Sequence, residues 1–477
     1  MKFDLDDTIA AIATAFGESG IGIIRISGAH SLSLADKIFL AKDKKKPSQC
    51  LGYTMHYGWI VNTAGSQVDR LIDSTQCPPQ NIIDEVLLTV MRAPKTYTRE
   101  DVVEINCHGG IIALRAVLDL VLEKGCRLAH PGEFTKRAFI NGRIDLSQAE
   151  AVLDIIRAKT NSALEIGVQQ LKGTLSERIG KIRCELLEVL AQIEANIDFP
   201  EEGITPVSQQ GLRGSIDILR NEFEALLRQN DSGRLYREGL FAVICGRPNV
   251  GKSSLLNALL KQERSIVTHI AGTTRDTIEE VIDIKGIPVR IADTAGIASP
   301  RDLVEKRAVQ RTGEFMDKAD LIILMFDGNS PLSREDEVLI GRIIRKKKSV
   351  IAVINKSDLK QKIEKEKIAR RFGHTIDISA KRLKNIDSLK DAIANLAYKG
   401  KVHMAESVLV SNLRHIQSFK KAHRHIVYAA NSVDANLSLE FVSQDLKEAF
   451  ECLDAITGKR FSEDLLDRIF SEFCIGK

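Results

Sequence analysis

A glycine-rich loop between an apolar run and a helical run constrains the fold of this chain more than any other feature. Residues Cys245–Ser254 follow the strand-like run Gly239–Ile244, precede the helix-like run Leu255–Leu260, and fit the pattern G-x-x-x-x-G-K-S. Glycine lets the backbone of such a loop wrap a polyphosphate, and the helix N-terminus adds a favourable dipole. Lysine neutralises phosphate oxygens, and serine binds Mg²⁺. We therefore predict a phosphate-binding loop with the contact residues Asn249, Val250, Gly251, Lys252, Ser253 and Ser254.

Four further motifs follow in the order and at the approximate spacing of a GTPase domain. Their predicted nucleotide contacts are Thr273, Thr274, Asp293, Thr294, Ala295, Gly296, Asn355, Lys356, Asp358, Ser379, Ala380 and Lys381. Asp293 ends an apolar run, where a carboxylate can reach Mg²⁺ through water. Asp358 can accept hydrogen bonds from guanine N1–H and the 2-amino group, which adenine does not offer. One such motif can be an ordinary loop, but five in order predict a GTPase with a Ras-like, doubly wound sheet.

The composition is typical of a soluble globular protein of about three domains. The chain has 477 residues, of which 44 % are hydrophobic and 28 % are charged. Its eight cysteines form no C-x-x-C pair, which predicts reduced thiols in the cytoplasm rather than disulfides or zinc ligands. No apolar run reaches the roughly 18 residues of a transmembrane helix, and the first residues lack the apolar centre of a signal peptide.

The apolar patterns divide the chain into four predicted segments. Residues 1–128 mix strand-like and helix-like runs and predict an α+β domain. Residues 237–399 hold the GTPase motifs. Residues 129–236 and 400–477 are predicted to be helical, because apolar residues recur there at helical spacing.

The two helical segments are predicted to belong together. The stretch Asp145–Phe199 has no proline and predicts long helices that break near Gly173 or Gly180. Apolar residues of Leu439–Ile456 recur at three- and four-residue steps, and a helix of that kind needs a partner. We therefore predict a multidomain α/β protein whose GTPase is inserted in one discontinuous helical domain.

Two basic segments stand out. Asn412–His425 carries four Lys or Arg and three histidines, without an acid, on a helical pattern. Such a face can contact phosphates, but a solvated helix face also explains it. Arg345–Lys348 is predicted to end a helix, where cations complement the helix dipole.

Longer segments resemble the MnmE (TrmE) family of bacterial tRNA-modification GTPases over nearly the whole chain. The segments that carry the resemblance are Gly22–Gly28, Glu100–Gly110, Pro131–Phe134, Arg137–Phe139, Asp145–Glu150, Asp198–Glu201, Gly272–Asp276 and Phe473–Lys477. The resemblance implies an N-terminal α+β domain that dimerises and binds a tetrahydrofolate. It also implies a homodimer that works with the flavoprotein MnmG in a heterotetramer.

The reaction that the resemblance implies is a modification of tRNA. The complex would add an aminomethyl or carboxymethylaminomethyl group at C5 of the wobble uridine of certain tRNAs. The one-carbon donor would be 5,10-methylene- or 5-formyl-tetrahydrofolate. Matching residues give the folate contacts Arg25, Glu104, Arg143 and Lys477, and make Cys474 a candidate catalytic thiol.

Two of these assignments have a second explanation in the residues themselves. Arg25 and Glu104 each lie in an apolar strand-like run, where a charge needs a partner, so the two can form a purely structural ion pair. Arg143 stands where the family carries Lys or Arg. Its planar guanidinium keeps the positive charge but changes the contact geometry.

The resemblance also assigns ions and a catalytic residue in the GTPase. Ile297 stands where Ras-like enzymes carry the water-orienting glutamine. The family uses a glutamate of the second switch, which corresponds to Glu305. Glu305 and Lys252 would then be the catalytic residues of hydrolysis. From its spacing alone, Glu305 also fits a solvated helix residue. Mg²⁺ would be held by Ser253 and Thr274. The K⁺ ligands would be Asn249, Thr268, Ile270 and Thr273. His269, Ala271 and Gly272 would be further nucleotide contacts of the first switch.

Two other function classes are compatible with part of the sequence. A ribosome-assembly GTPase shares the nucleotide motifs, but it would need an RNA-binding appendage such as a G-x-x-G KH module, which we do not find. A folate-dependent one-carbon transferase without a regulatory GTPase leaves the five nucleotide motifs unexplained.

Overall fold

The structure, a computed structural model, describes residues 7–62, 81–198, 208–228, 230–262, 279–293, 313–398 and 410–477. The chain forms two compact units, Met1–Leu153 with Thr457–Lys477, and Asp154–Ile456. The finer division at residues 128, 236 and 399 stays a prediction. Within the described ranges, no helix is both long and apolar enough to cross a membrane.

A seven-stranded sheet forms the base of the first unit. Its strands are β1 (Ile9–Ile12), β2 (Gly22–Ser27), β3 (Phe39–Ala41), β4 (Thr54–Val61), β5 (Ile82–Met91), β6 (Val102–Cys107) and β7 (Arg127–Leu128). Their spatial order is β3-β4-β5-β6-β2-β1-β7, and neighbours are antiparallel except for β1 and β7. The predicted α+β architecture of this part of the chain is confirmed.

The helices of the first unit cover this sheet and bring in the end of the chain. They are α1 (Ser31–Ala35), α2 (Ile111–Glu123), α3 (Glu133–Ile140), the start of α4 (Leu146–Arg157) and α15 (Glu463–Ser471). Leu114, Val117 and Leu120 share one face of α2 and are buried in the core of the sheet. Residues of α3, α4 and α15, among them Phe139 and Phe470, share a second apolar cluster. The C-terminal segment is therefore part of the N-terminal unit.

Helices from both sides of the GTPase pack together in the second unit. They are α5 (Asn161–Leu171), α6 (Thr174–Asp198), α7 (Gln209–Arg228), α8 (Asn230–Glu238), α13 (Leu413–Asp434) and α14 (Leu439–Thr457). α6, α7, α13 and α14 share one buried apolar cluster, in which the Phe223 and Phe419 ring centroids lie 6.2 Å apart. The predicted discontinuous helical domain is confirmed.

The predicted break in the long helical stretch occurs at only one of the two candidate glycines. Gly173 lies between α5 and α6 with φ +91°, in the left-handed region that commonly ends helices. Gly180 lies inside α6. Glycine inside a helix costs about 1 kcal/mol relative to alanine, and burial of the neighbouring Ile179 and Ile182 offsets that cost.

The GTPase part of the second unit is a doubly wound sheet, as predicted. Its strands are β8 (Leu240–Cys245), β9 (Glu279–Ile284), β10 (Ile287–Asp293), β11 (Leu321–Asp327), β12 (Ser349–Asn355) and β13 (Thr375–Asp377). They lie in the order β13-β12-β11-β8-β10-β9 and are parallel except for β9. The helices are α9 (Lys252–Gln262), α10 (Arg334–Arg345), α11 (Lys365–Ala369) and α12 (Ile386–Ala397). One apolar cluster includes α9 and α12, and the cluster on the other face includes α10 and residues in and around α11.

The basic segment Asn412–His425 forms most of the first half of α13, and part of it is not a free cationic face. Arg414 is half-buried, and its guanidinium donates to the carbonyls of Ala455 (2.6 Å) and Ile456 (3.0 Å) near the end of α14. This contact satisfies carbonyls that a helix end leaves without partners. The idea that Arg414 faces phosphates is therefore wrong. Lys420, Lys421 and Arg424 of the same helix are exposed.

A buried arginine ties the start of the described chain to α3 in the first unit. Arg137 donates to Glu100 and to Glu133, each at 3.1 Å, to the Asp7 carbonyl at 2.9 Å, and to the Asp7 carboxylate. Its side chain is only 2 % exposed. Burial by itself would raise the pKa of Glu133, but hydrogen bonds from Arg127, the His130 amide and Arg137 outweigh it and lower that pKa. The network therefore keeps buried carboxylates ionised.

Arg137→Met tests this network. Loss of the guanidinium leaves buried carboxylates unpaired, so we expect the free energy of unfolding to fall by about 3–5 kcal/mol at pH 7. The single tryptophan, Trp59, lies in β4 of the same unit, and its fluorescence during urea unfolding reports the change. Arg115→Met, at a side chain 77 % exposed, is the control and should change stability by less than about 0.5 kcal/mol.

The pH dependence checks the cause of this destabilisation. A carboxyl group with a lowered folded-state pKa adds stability above its unfolded pKa, and that stability is lost as the pH falls through the folded value. The ordinary pKa of a glutamate carboxyl group is about 4.5. The difference between the unmutated protein and Arg137→Met should therefore shrink below about pH 4.5. A difference under about 1 kcal/mol at pH 7 would contradict the assignment.

Candidate nucleotide-binding and C-terminal sites

The predicted phosphate-binding loop follows the central strand of the GTPase sheet. All six residues of β8 are buried, and β8 lies between β11 and β10. The loop leaves the carboxyl end of β8, and α9 begins at Lys252. Ser253 and Ser254 lie in the first turn of α9 and are exposed. The loop therefore presents a helix N-terminus at the carboxyl edge of a parallel sheet, where such folds bind ligands.

The backbone of the loop allows only particular residues. Gly251 has φ +103°, and a Cβ atom there would lie 2.2 Å from the Asn355 amide nitrogen. Asn249 also has a positive φ, +63°. The buried Lys252 ammonium donates to the carbonyls of Gly246 (2.9 Å) and Arg247 (3.0 Å). Its positive charge is thus held at the phosphate-binding loop.

Asn355 connects three of the five motifs. Its amide nitrogen donates to the Val250 carbonyl at 2.8 Å, and its amide oxygen accepts from the Ala380 N–H at 3.0 Å. Asn355 ends β12 and is buried. One side chain therefore fixes the phosphate-binding loop against the Ser379–Lys381 loop.

Asp358 is held ready to accept hydrogen bonds. Its exposed carboxylate accepts from the Ser379 hydroxyl at 2.6 Å, and the Ser379 oxygen accepts from the Arg382 N–H at 3.2 Å. The bond from Ser379 is the main cause that lowers the pKa of Asp358. The carboxylate is therefore ionised near neutral pH, as base recognition requires. Lys381 follows Ala380 on the surface of the same loop.

Lys356 has a partner that the sequence motifs did not predict. It has φ +65°, and its ammonium lies 2.7 Å from the carboxylate of Asp327, the last residue of β11. The sequence signal that could have identified Asp327 is an acidic residue at the end of an apolar run. Asp293 is the last residue of β10 and pairs with Ile244 of β8, so its backbone lies at the same edge of the sheet.

The remaining nucleotide-site predictions lie outside the described residues. They are Thr268, His269, Ile270, Ala271, Gly272, Thr273, Thr274, Thr294, Ala295, Gly296 and Glu305.

A second candidate site lies in the first unit, around the ion pair of Arg25 and Glu104. These residues are directly opposite in the antiparallel register of β2 and β6, and the Arg25 Nε to Glu104 Oε1 distance is 2.8 Å. Their side chains are 20 % and 21 % exposed, so the pair is open to solvent. Arg25 also donates to the Gly476 carbonyl at 3.3 Å and lies 5.7 Å from the centroid of the Phe134 ring. Sheet register therefore brings together two predicted site residues.

The end of the chain docks beside this pair. Gly476 is buried with φ +92°, and a Cβ atom there would lie 2.3 Å from the Ile12 carbonyl oxygen. The Gly132 N–H donates to the Cys474 carbonyl at 3.3 Å, while Phe473 is buried in the cluster of α3, α4 and α15. The Cys474 side chain is exposed and its thiol is free. Lys477 follows Gly476 and is half-buried.

Arg143 joins the same region through an aromatic ring. Its guanidinium lies 4.7 Å from the centroid of Tyr97, whose hydroxyl is 2.9 Å from the Thr135 hydroxyl. Burial raises the pKa of Tyr97, and the nearby charges of Arg143 and Arg25 oppose that rise. Tyr97 is therefore in direct contact with the Arg143 guanidinium. Tyr97 and Phe134 were not among the predicted site residues, although Phe134 lies in a family-specific segment.

Comparison with known proteins identifies the family of this chain. Residues 8–143 match the family described as GTP-binding protein TrmE N-terminus, and residues 146–474 match the MnmE helical domain. A protein named tRNA modification GTPase MnmE from Desulforamulus reducens is 46 % identical, over 99 % of this chain and 100 % of its own. The proteins of that name from Clostridioides difficile and Bacillus cytotoxicus are 46 % and 44 % identical, over 99 % of this chain and 100 % and 99 % of theirs. The chain belongs to the MnmE family.

Membership confirms the predicted family and the predicted GTPase. The GTPase motifs alone could not distinguish this family from other GTPases. The two family models match the N-terminal and helical parts of the chain and so make that distinction. In this member of the family, the nucleotide loops lie in the second unit and the Arg25 region lies in the first.

Asp358→Asn tests the nucleotide site. An amide presents a donor where guanine needs a second acceptor, so we expect GTP to bind at least about 100-fold more weakly. Xanthosine triphosphate, which carries a carbonyl in place of the 2-amino group, should bind better to this variant than to the unmutated protein. Titration with fluorescent nucleotide analogues measures both changes. Asp387→Asn, at a side chain 84 % exposed on α12, is the control, and unchanged GTP affinity of Asp358→Asn would contradict the prediction.

Proposed function

We propose that this MnmE-family protein hydrolyses GTP and, with a flavoprotein partner, modifies C5 of the wobble uridine of certain tRNAs. The added group is aminomethyl or carboxymethylaminomethyl, and a tetrahydrofolate donates the carbon. The observation that carries the proposal is the docked Cys474–Lys477 tail beside Arg25 and Glu104. Nucleotide hydrolysis alone gives no reason for that second site.

The GTPase residues divide the work of hydrolysis. Lys252 neutralises phosphate oxygens, and Asp358 selects guanine. Ser253 and Thr274 hold Mg²⁺, and the exposed position of Ser253 at the start of α9 fits that role. Glu305 orients the attacking water in place of the missing glutamine.

Asn249 takes part in holding K⁺ together with Thr268, Ile270 and Thr273. Asn249 has a left-handed φ, so the phosphate-binding loop turns at this residue before α9 begins. Such a turn fits a residue that contacts an ion. A bound K⁺ supplies positive charge where negative charge develops on the phosphates.

The residues around Arg25 fit a folate. A pterin offers a flat ring with donors and acceptors, and a glutamate tail carries carboxylates. Arg25, Glu104 and Arg143 offer complementary charges, while Phe134 and Tyr97 offer apolar ring surface. Lys477 binds a carboxylate, and a bound folate supplies a one-carbon unit. The Cys474 thiol, which is free and exposed, is the candidate catalytic group of this site.

The proposal includes the assembly and the location. The protein works as a homodimer that joins MnmG in a heterotetramer. It acts in the cytoplasm, because tRNA and GTP are there.

Nucleoside analysis of tRNA tests the proposed reaction. Cells that lack this protein should lose the C5 modification of the wobble uridine, and the unmutated gene should restore it. A Glu305→Ala gene should not. Unchanged modification in cells without the protein would refute the proposal.

Folate binding distinguishes a ligand site from a structural ion pair. Replacing both charges, as in Arg25→Met with Glu104→Leu, removes the pair without leaving one charge alone, so the fold should persist. Calorimetry on the full chain should show at least a tenfold loss of affinity for 5-formyl-tetrahydrofolate, by roughly 1.4 kcal/mol or more. Trp59 fluorescence in urea checks that the unit stays folded. Equal affinity in the folded double variant would make the pair purely structural.

The cation prediction concerns the rate of hydrolysis. GTP turnover should be much faster in K⁺ than in Na⁺ at similar nucleotide affinity, because the ion acts on developing charge. Glu305→Ala should lower turnover by about 100-fold or more and leave GTP affinity unchanged. Glu314→Ala, which replaces an exposed glutamate in the helical segment of residues 313–318, serves as the control. Equal rates in the two salts, or an unmutated rate for Glu305→Ala, would contradict these roles.

A further inference from the structure

Positive charge is concentrated in one stretch of the GTPase. Residues 342–374 contain twelve Lys or Arg and three Asp or Glu, a net charge of +9, whereas the whole chain has +4. The rest of the chain is therefore net negative. The terminal cations of α10 complement the helix dipole, as predicted, but this accounts for only the last turn of one helix.

Carboxylates neutralise only part of this charge. Five of the twelve cations form ion pairs: Lys346 with Asp317, Lys356 with Asp327, Lys365 with Asp377, Lys367 with Glu364, and Arg371 with Glu337. The other seven have no carboxylate within 4.0 Å among the described residues; they are Arg342, Arg345, Lys347, Lys348, Lys360, Lys362 and Arg370. Six of these are exposed and Lys348 is half-buried. We call these seven residues the α10–α11 basic surface.

Three of these cations, Arg342, Arg345 and Arg370, lie in or directly after two helices that pack on the same face of the GTPase sheet. Ile343 of α10, Ile368 of α11 and Phe372 are buried in the same apolar cluster. The Arg371 to Glu337 ion pair also joins the end of the α11 region to α10. The helix that follows the phosphate-binding loop, α9, packs in the cluster on the opposite face of the sheet. None of the seven residues is among the predicted nucleotide contacts.

A surface of this chemistry fits a polyanion. Ordinary solvated surfaces intersperse both charge signs, whereas here the cations without partners outnumber the acids of the stretch. Interfaces between proteins have an apolar centre and few lysines. In the stretch that carries the seven cations, the exposed large apolar side chains are only Ile344, at 50 %, and Leu359, at 46 %. Lysine and arginine without such a centre are typical of contacts to a nucleic-acid backbone.

We propose that the α10–α11 basic surface binds the phosphate backbone of tRNA. The inference rests on the proposed function, because that function makes tRNA the nucleic acid present. It gives the inserted GTPase direct contact with the substrate. Nucleotide state and tRNA binding then act on the same domain.

Neutralisation of three of these cations tests the inference. The triple variant Arg342→Gln, Arg345→Gln and Arg370→Gln removes three positive charges from exposed side chains. The matched control is Lys420→Gln, Lys421→Gln and Arg424→Gln, which removes three exposed cations from α13. Anisotropy of a fluorescein-labelled tRNA transcript measures binding to the full chain from 50 to 200 mM KCl.

The expected result is specific to the α10–α11 variant. Each lost phosphate contact lowers the slope of log affinity against log salt by about 0.7–0.9, so three should lower it by about 2 to 3. Affinity at 50 mM KCl should fall by about tenfold or more. The control variant should bind like the unmutated protein, and GTP hydrolysis without tRNA should be unchanged in both variants.

Other outcomes overturn the inference in distinguishable ways. Unmutated tRNA affinity and salt slope in the α10–α11 variant refute this inference alone. An equal loss in the α13 control refutes the assignment to α10 and α11. Loss of binding to the flavoprotein partner with unchanged tRNA affinity makes the surface a protein contact. Failure of the unmutated protein to bind tRNA refutes the proposed function as well.

Discussion

Packing of α6 and α7 against α13 and α14 is the constraint on which the second unit depends. The four helices come from both sides of the GTPase in the sequence, yet they share one buried apolar cluster. The chain must therefore leave this bundle and return to it at nearly the same place. The hydroxyls of Tyr236, just before β8, and Tyr398, just after α12, lie 2.7 Å apart and mark that place. A domain whose ends are adjacent can be inserted without breaking the core of its host.

Within the GTPase, parallel strands place the loops and one amide holds them together. β8, β10, β11 and β12 all end at the same edge of the sheet, so their loops meet there. Asn355 then uses its donor and its acceptor to join two of those loops. Neither a carboxylate nor an apolar residue of similar size supplies both bonds. The nucleotide site is thus preorganised by a strand end, which is more rigid than a loop.

Local patterns predicted the elements, while distant partners decided the exceptions. Apolar runs and helical spacing were sufficient for the sheets and for the discontinuous helical domain, since burial imposes both patterns. The same patterns could not separate Gly173 from Gly180, because both are compatible with helix and only packing distinguishes them. Arg414 resembled a solvated cation because its acceptors, the end carbonyls of α14, are remote in sequence. Tyr97 carries no motif signal, and only the fold places its ring beside the Arg143 guanidinium.

The Arg25 and Glu104 pair is held by the sheet itself and leaves part of the donor capacity of Arg25 unused within the protein. Its antiparallel register sets the two side chains opposite each other without help from any bound molecule. An arginine has five N–H donors, and the contacts with Glu104 and Gly476 are its only hydrogen bonds among the described residues. The pair is partly exposed, so water or the proposed folate can accept from the remaining donors of Arg25.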